Sequence, residues 1–208
     1  GNEINNGTLE ALPSLLTTKL IKQGWYLHEE IIWNKVTGGA NRAGVFIQRP
    51  YASYFRANIM HEKIIVLRKG KNKLRKDTKS FQTTNPILFN DILNSVWHIA
   101  PVPPRLLEHP CPFPEEIPFR LINLYSHEND VVLDPFNGAG QTTKISKFLK
   151  RNYVGMDLEK KYVLYAKKRL NEEPNLRELS LRLSFPENGV PKWIKEKTWI
   201  KETVEDFK

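Results

Sequence analysis

Apolar residues along this chain follow either a helical or a strand-like spacing, and the changes between the two divide it into elements. Leu9, Leu12, Leu15, Leu16, Leu20 and Ile21 recur at helical spacing and stop at Gly24, which predicts an amphipathic helix over residues 9–23. Residues 25–33 and 61–67 are short runs rich in aromatic and β-branched side chains and predict strands. Between them, residues 34–58 carry Gly38, Gly39, Gly44 and Pro50 with little periodicity, so a long surface loop is expected, of the kind a compact domain keeps for function. A short helix is expected over residues 86–97, then an extended connection stiffened by Pro101, Pro103, Pro104, Pro110, Pro112 and Pro114. Residues 115–126 predict a helix that covers the sheet with Ile117, Leu121, Ile122 and Leu124.

From residue 131 the pattern becomes strand, helix, strand, helix. Residues 131–133 read as a buried parallel strand, and 142–150 as a helix with Ile145, Phe148 and Leu149 toward the sheet. A second strand follows over 153–156, and a helix whose core side is Tyr162, Leu164, Tyr165 and Leu170. The expected class is α/β. Residues 171–208 shift to mixed charge and are expected to form an appendage, either a packed tail or an interaction helix.

Candidate chemistry sits where the first of these strands ends. The run Asp134-Pro135-Phe136-Asn137-Gly138-Ala139-Gly140 places a carboxylate at the strand end and two glycines where the backbone can turn tightly beside a ligand. The next strand ends in Asp157, about where a ribose-binding acid is expected. A dinucleotide site would want a third glycine where Thr143 stands, and Asp134 would repel a pyrophosphate. Two carboxylates suit a ligand with positive charge and ribose hydroxyls, which describes S-adenosylmethionine. Dinucleotide binding and an unliganded structural turn are the other readings of the same residues.

Composition adds limits and a partner. The 208 residues hold 32 Lys and Arg against 23 Asp and Glu, a formal net charge of +9. With a pI near 9.5 the charge points toward a polyanion as partner, although a basic surface alone is also common for solubility. Residues 68–79 concentrate that charge: seven basic side chains against the single acid Asp77. Arg68, Lys69, Lys71, Lys73, Arg75 and Lys76 are therefore candidates for phosphate contacts, against the plainer reading of a solvated loop. Arg42 and Arg49, with Arg56, stand among Tyr51, Tyr54 and Phe55, a mixture suited to an unstacked base; packing of the loop onto the sheet explains the aromatics equally well. No apolar run approaches the ~20 residues of a membrane span and no signal-peptide pattern opens the chain, so a cytoplasmic location is expected. The single Cys111 excludes an internal disulfide and offers no metal-ligand spacing, and no metal is expected.

The glycine loop after Asp134 and three further blocks resemble the DNA amino-methyltransferases, which methylate the exocyclic amine of cytosine or adenine. The ten residues from Asp134 to Thr143 resemble the cofactor loop of that family, and the ten from His109 to Pro118 resemble the segment placed just before it. Glu30-Ile31-Ile32-Trp33-Asn34-Lys35 and His61-Glu62-Lys63-Ile64-Ile65-Val66 resemble two strands of the catalytic half. The blocks stand in the circularly permuted order, catalytic half first, and the resemblance covers roughly residues 9–170. It implies a Rossmann-like S-adenosylmethionine-dependent methyltransferase fold, with a mixed, mostly parallel sheet and helices on both faces. It also implies a restriction-modification setting and double-stranded DNA as partner. Cofactor-binding residues implied by the matched positions are His109, Pro110, Phe113, Pro114, Asp134, Phe136, Gly138, Gly140, Thr142 and Asp157.

One family element has no counterpart. The catalytic tetrapeptide, Asp, Asn or Ser followed by two prolines and an aromatic, should precede the Trp33 strand, and nothing in residues 1–24 fits. Val102-Pro103-Pro104-Arg105 has the prolines without the polar or aromatic flank. The catalytic residues are thus not assignable, and a missing segment or a second chain carrying the tetrapeptide is expected. A noncatalytic cofactor- and DNA-binding subunit, or a methyltransferase acting on something other than DNA, are the alternatives. The expected organisation is a remaining part of the catalytic subdomain over 1–67, a basic DNA-contact segment and connector over 68–100, a cofactor-binding subdomain over 101–170, and the appendage.

Overall fold

The computed structural model describes residues 3–5, 8–35, 60–70, 92–103 and 106–176. Most of the expected loop at 34–58, most of the basic segment at 68–79, and the appendage beyond 176 lie outside the described residues, as do Arg42, Arg49, Lys71, Lys73, Arg75 and Lys76. A small antiparallel ribbon comes first, β1 (Glu3–Asn5) with β2 (Thr8–Glu10). The first helix, α1 (Leu12–Lys22), therefore starts later than the periodicity suggests, because Leu9 is taken into β2. Pro13 sits in its opening turn, where a missing N–H costs nothing.

Next comes β3 (Trp25–Asn34), flanked antiparallel by β4 (His61–Lys69) and parallel by β5 (Val96–His98). A register shift between Leu27 and Glu29 leaves His28 as the extra residue, and its ring meets Tyr125 edge-on at 5.9 Å. Of the helix expected at 86–97, residues 86–91 lie outside the described residues and Ile92 is helical, but its end is corrected: Val96 and Trp97 lie in a strand, Trp97 directly opposite Trp33. Pairing with β3 gives its backbone a ladder, and its indole N–H donates to Ile92 O at 3.0 Å. Trp33 likewise donates to Ile99 O at 2.7 Å. These paired tryptophans with Ile31, Ile99 and Ile117 form the main core, so the buried N–H groups are satisfied within the cluster they fill.

The second half supplies α2 (Glu116–Tyr125), β6 (Val131–Asp134), α3 (Gln141–Phe148), β7 (Asn152–Gly155) and α4 (Lys160–Arg169). β6 and β7 pair in parallel through the α3 crossover. Ile117 and Ile122 of α2 are buried, and Leu121 and Leu124 pack against the main core, as the helical spacing predicts. Ile145 is fully buried between α3 and the strands.

Several apolar positions expected inside are outside. Val131 is 67% exposed and Leu133 57%, and Phe148 and Leu164 are about half exposed. Val131 and Leu133 share one face of β6, and Val154, opposite Leu133 in the register, continues it on β7. α3 covers only the other face. On α1 no residue is buried, leaving Leu15 and Leu16 more than half exposed. α4 turns Ala166 and Arg169 inward instead of Leu164, for a reason that lies in the loop they touch.

Candidate cofactor site

The loop from β6 to α3 is closed by its own backbone. Asn137 donates its N–H to Met156 O at 2.8 Å, and Gly140 donates to Asn137 O at 2.7 Å. Gly138 and Gly140 have φ of 48° and 81°, the left-handed region that glycine enters without a Cβ penalty. A Cβ at Gly138 would lie 2.8 Å from His109 Nε2, and one at Gly140 2.7 Å from the Cβ of Ala166. At Gly140 space therefore demands glycine as strictly as backbone angle does, whereas at Gly138 the neighbour is the tip of the His109 ring.

Asp134 ends β6 and Asp157 lies just past the end of β7, so both acids stand at the carboxyl side of adjacent parallel strands, the crevice where open α/β sheets bind ligands. Asp134 accepts the N–H of Phe136 at 2.9 Å. Asp157 accepts from Glu159 and from Gly138, one on each oxygen, both at 2.9 Å. The Glu159 bond, then the Gly138 bond and the nearby His109, hold its carboxyl below the usual value against the opposing effect of desolvation. A carboxylate has about four acceptor positions, so Asp157, only partly covered, retains capacity for hydroxyl donors. The residues present thus fit a ligand with ribose hydroxyls and positive charge.

Of the other expected residues, His109 packs over Gly138 and meets Tyr162 edge-on at 4.8 Å. Phe136 is 85% exposed beside the loop. Phe113 packs against the main core, and its carbonyl accepts from Gln141 at 3.1 Å. With Pro114 and Gln141 it also lines a cavity of about 400 Å³ bounded by Pro101, Lys144 and Tyr165. Asp134 and Asp157 do not line that cavity; they stand apart from it at the ends of the parallel strands. Thr142 serves the helix, its carbonyl accepting from the Ser146 hydroxyl at 2.7 Å. Its neighbour Thr143 serves the loop, donating to Asn137 Oδ1 at 3.1 Å and contacting Gly140 O. Together Asn137 and Thr143 press on Gly155, leaving no room for a Cβ there.

Glu115 and Glu116 stand at the start of α2, where negative charge favours the helix dipole, and both are buried in ion pairs. Glu116 pairs with Arg120, and Glu115 pairs with Lys144 and Arg169. Spacing alone does not single out Lys144 and Arg169, because charged residues on helices are usually solvated; the only signal is their coincidence with the inward face of each helix. Arg68 and Lys69 belong to β4, and Arg68 Nε is buried.

These features define the Rossmann-like S-adenosylmethionine-dependent methyltransferase fold. A DNA modification methylase of Thermus thermophilus, solved in complex with S-adenosyl-L-methionine, matches with a TM-score of 0.62 at 23% identity, over 86% of this chain and 66% of that one. PvuII DNA methyltransferase, described as cytosine-N4-specific, matches with a TM-score of 0.63 at 15% identity, over 88% and 66%. The chain belongs to the DNA methylase family, whose model matches residues 4–168. Type II methyltransferase M.HinfI of Haemophilus influenzae is 32% identical over 166 residues, 76% of this chain and 43% of its own length. M.MjaI of Methanocaldococcus jannaschii is 29% identical over 172 residues, 74% and 53% respectively. The chain therefore spans about half the length of these relatives.

Proposed function

We propose that this chain is the cofactor-binding part of a DNA amino-methyltransferase of restriction-modification type, which transfers a methyl group to the exocyclic amine of cytosine or adenine. The observation that carries this reading is the pairing of Asp134 and Asp157 at the ends of adjacent parallel strands, across a glycine-shaped loop, in a chain of the DNA methylase family. S-adenosylmethionine, when bound, supplies a methyl group activated on a sulfonium. Asp157 receives the ribose hydroxyls on its remaining lone pairs, and Asp134 sits toward the positively charged end. Gly138 and Gly140 let the backbone approach, with Phe136 and Thr142 at the loop and His109, Pro110, Phe113 and Pro114 forming the other wall. Arg68, Lys69 and the basic residues after them contact DNA phosphates, a contribution that weakens as salt rises.

The amine of a nucleobase is a weak nucleophile because its lone pair is delocalised into the ring. Something must hold it for attack, and no matching tetrapeptide stands in these 208 residues. We assign that task to a further segment, on the same or a second chain. The uncovered apolar face of β6 and β7 supports this, since parallel strands are ordinarily buried on both faces.

The test is calorimetric titration of the full chain with S-adenosylmethionine, followed by transfer of labelled methyl to DNA with and without a tetrapeptide-bearing partner. Binding, with transfer only when the tetrapeptide is present, is the expected result. Binding with transfer to RNA or protein but not DNA would overturn the assigned acceptor.

A further inference from the structure

Behind the loop, and outside the residues assigned to ligand contact, lie three buried charges. Glu115, Lys144 and Arg169 have side-chain exposures of 5%, 3% and 4%, and Glu115 Oε1 accepts from Lys144 at 3.0 Å and from Arg169 at 2.5 Å. Burying such a set is costly, and well-packed apolar groups would often stabilise a fold as well. Stability alone is therefore a weak account of it.

Arg169 distributes its planar fork over three places. Nη1 donates to Ala139 O at 2.6 Å, Nη2 to Glu115, and Nε to Glu172 Oε2 at 3.2 Å. Ala139 is the middle residue of the Gly138-Ala139-Gly140 turn. Its carbonyl and the Gly140 N–H belong to one rigid peptide plane, and that N–H is held from the other side by Asn137 O. Glu115 directly follows Phe113 and Pro114, so one guanidinium joins the loop to the opposite candidate wall. One turn earlier on α4, Ala166 fills the space that a Cβ on Gly140 would need.

We propose that Arg169 is a positioning residue for the cofactor site, orienting the peptide plane at Ala139 and fixing the loop against the segment that leads into α2. The inference rests on the cofactor assignment above. A lysine keeps the charge but replaces the flat fork with a single ammonium, so it cannot reproduce three directed bonds to three elements.

The experiment measures S-adenosylmethionine affinity of the full chain as wild type, R169K and R151K, each well below its own melting temperature. Arg151 is the matched control: it is also buried and donates to Ser126 O and Leu149 O, but it precedes β7, at the strand end away from the loop. R169K is expected to weaken cofactor binding roughly tenfold with little change in DNA affinity, and R151K to lower the melting temperature while leaving cofactor affinity within about twofold. R169K binding as tightly as wild type, or R151K weakened to the same extent, would overturn the proposal. Absence of binding by the wild type would instead remove the cofactor assignment, and the inference with it. If R169K does not fold, nuclear magnetic resonance of the wild type carries the test. Arg169 guanidinium signals should exchange slowly and shift on cofactor titration, and signals that ignore the cofactor would refute a positioning role.

Discussion

The carboxylate of Asp157 accepts the backbone N–H of Gly138 at 2.9 Å, fastening the end of β7 to the middle of the loop that follows β6. A single, partly exposed side chain thus shapes the turn at the carboxyl end of the strand pair. D157A should weaken S-adenosylmethionine binding by about tenfold or more, because a charge-assisted acceptor and the loop's anchor go together. Calorimetry reads this directly, and unchanged affinity would exclude Asp157 from the site.

The same carboxylate sets a pH expectation. Its bonds from Glu159 and Gly138 and its proximity to His109 depress its pKa below the ordinary 3.8, so its contribution is complete above that value and is lost as pH falls through the depressed one. Asp157 should therefore impose no pH dependence on cofactor affinity across the neutral range. A loss of loop order confined to strongly acid solution, followed by amide exchange at Gly138, is the expected signature.

Gly140 carries a double constraint, a φ of 81° and a Cβ position already taken by Ala166. G140A should destabilise the fold by roughly 2–5 kcal/mol, combining left-handed strain with overpacking. Urea denaturation measures it. Adding A166G should recover part of the loss, since it removes the 2.7 Å contact with the Ala166 Cβ while leaving the 3.0 Å approach of its Cα and the strain.

Two glutamates separate buried from exposed charge. E115A leaves the buried Lys144 and Arg169 only the half-exposed carboxylate of Glu172, at 3.5 and 3.2 Å, and should cost about 3 kcal/mol. E128A removes an exposed partner of Lys150, at 3.7 Å, and should change stability by no more than about 1 kcal/mol. Equal effects in denaturant melts would mean that the Glu115 cluster is solvated.

Ile145 and Leu133 test which face of the β6–β7 pair is covered. I145A empties a fully buried site and should cost roughly 2–5 kcal/mol. L133S acts on a side chain 57% exposed and should stay within about 0.5 kcal/mol in this chain alone. A cost for L133S near that of I145A would show that the face is already covered.

Periodicity placed most elements because it is local. Leu12 to Ile21 must share a helix whatever they meet, and the glycines of 138–140 announce a turn wherever it packs. The same logic misled at Leu9, which pairs in a strand, and at Trp97, whose neighbours resemble a helix but whose ladder partner is Trp33, 64 residues away in sequence. It misled again at Phe148, Leu164, Val131 and Leu133, which are apolar and in register yet exposed.

The sequence by itself determined the α/β order, the glycine loop and the two acids that frame it, because backbone angles and strand-end carboxylates follow from residue type and short-range spacing. Only the tertiary structure decided that Asp157 ties down Gly138 and that Arg169 reaches Ala139 and Glu115 together. Tertiary contacts also decided that Lys144, an ordinary helical lysine in sequence, is buried. The reason is physical: spacing along a chain fixes which side chains share a face, but burial depends on what distant segment packs against that face.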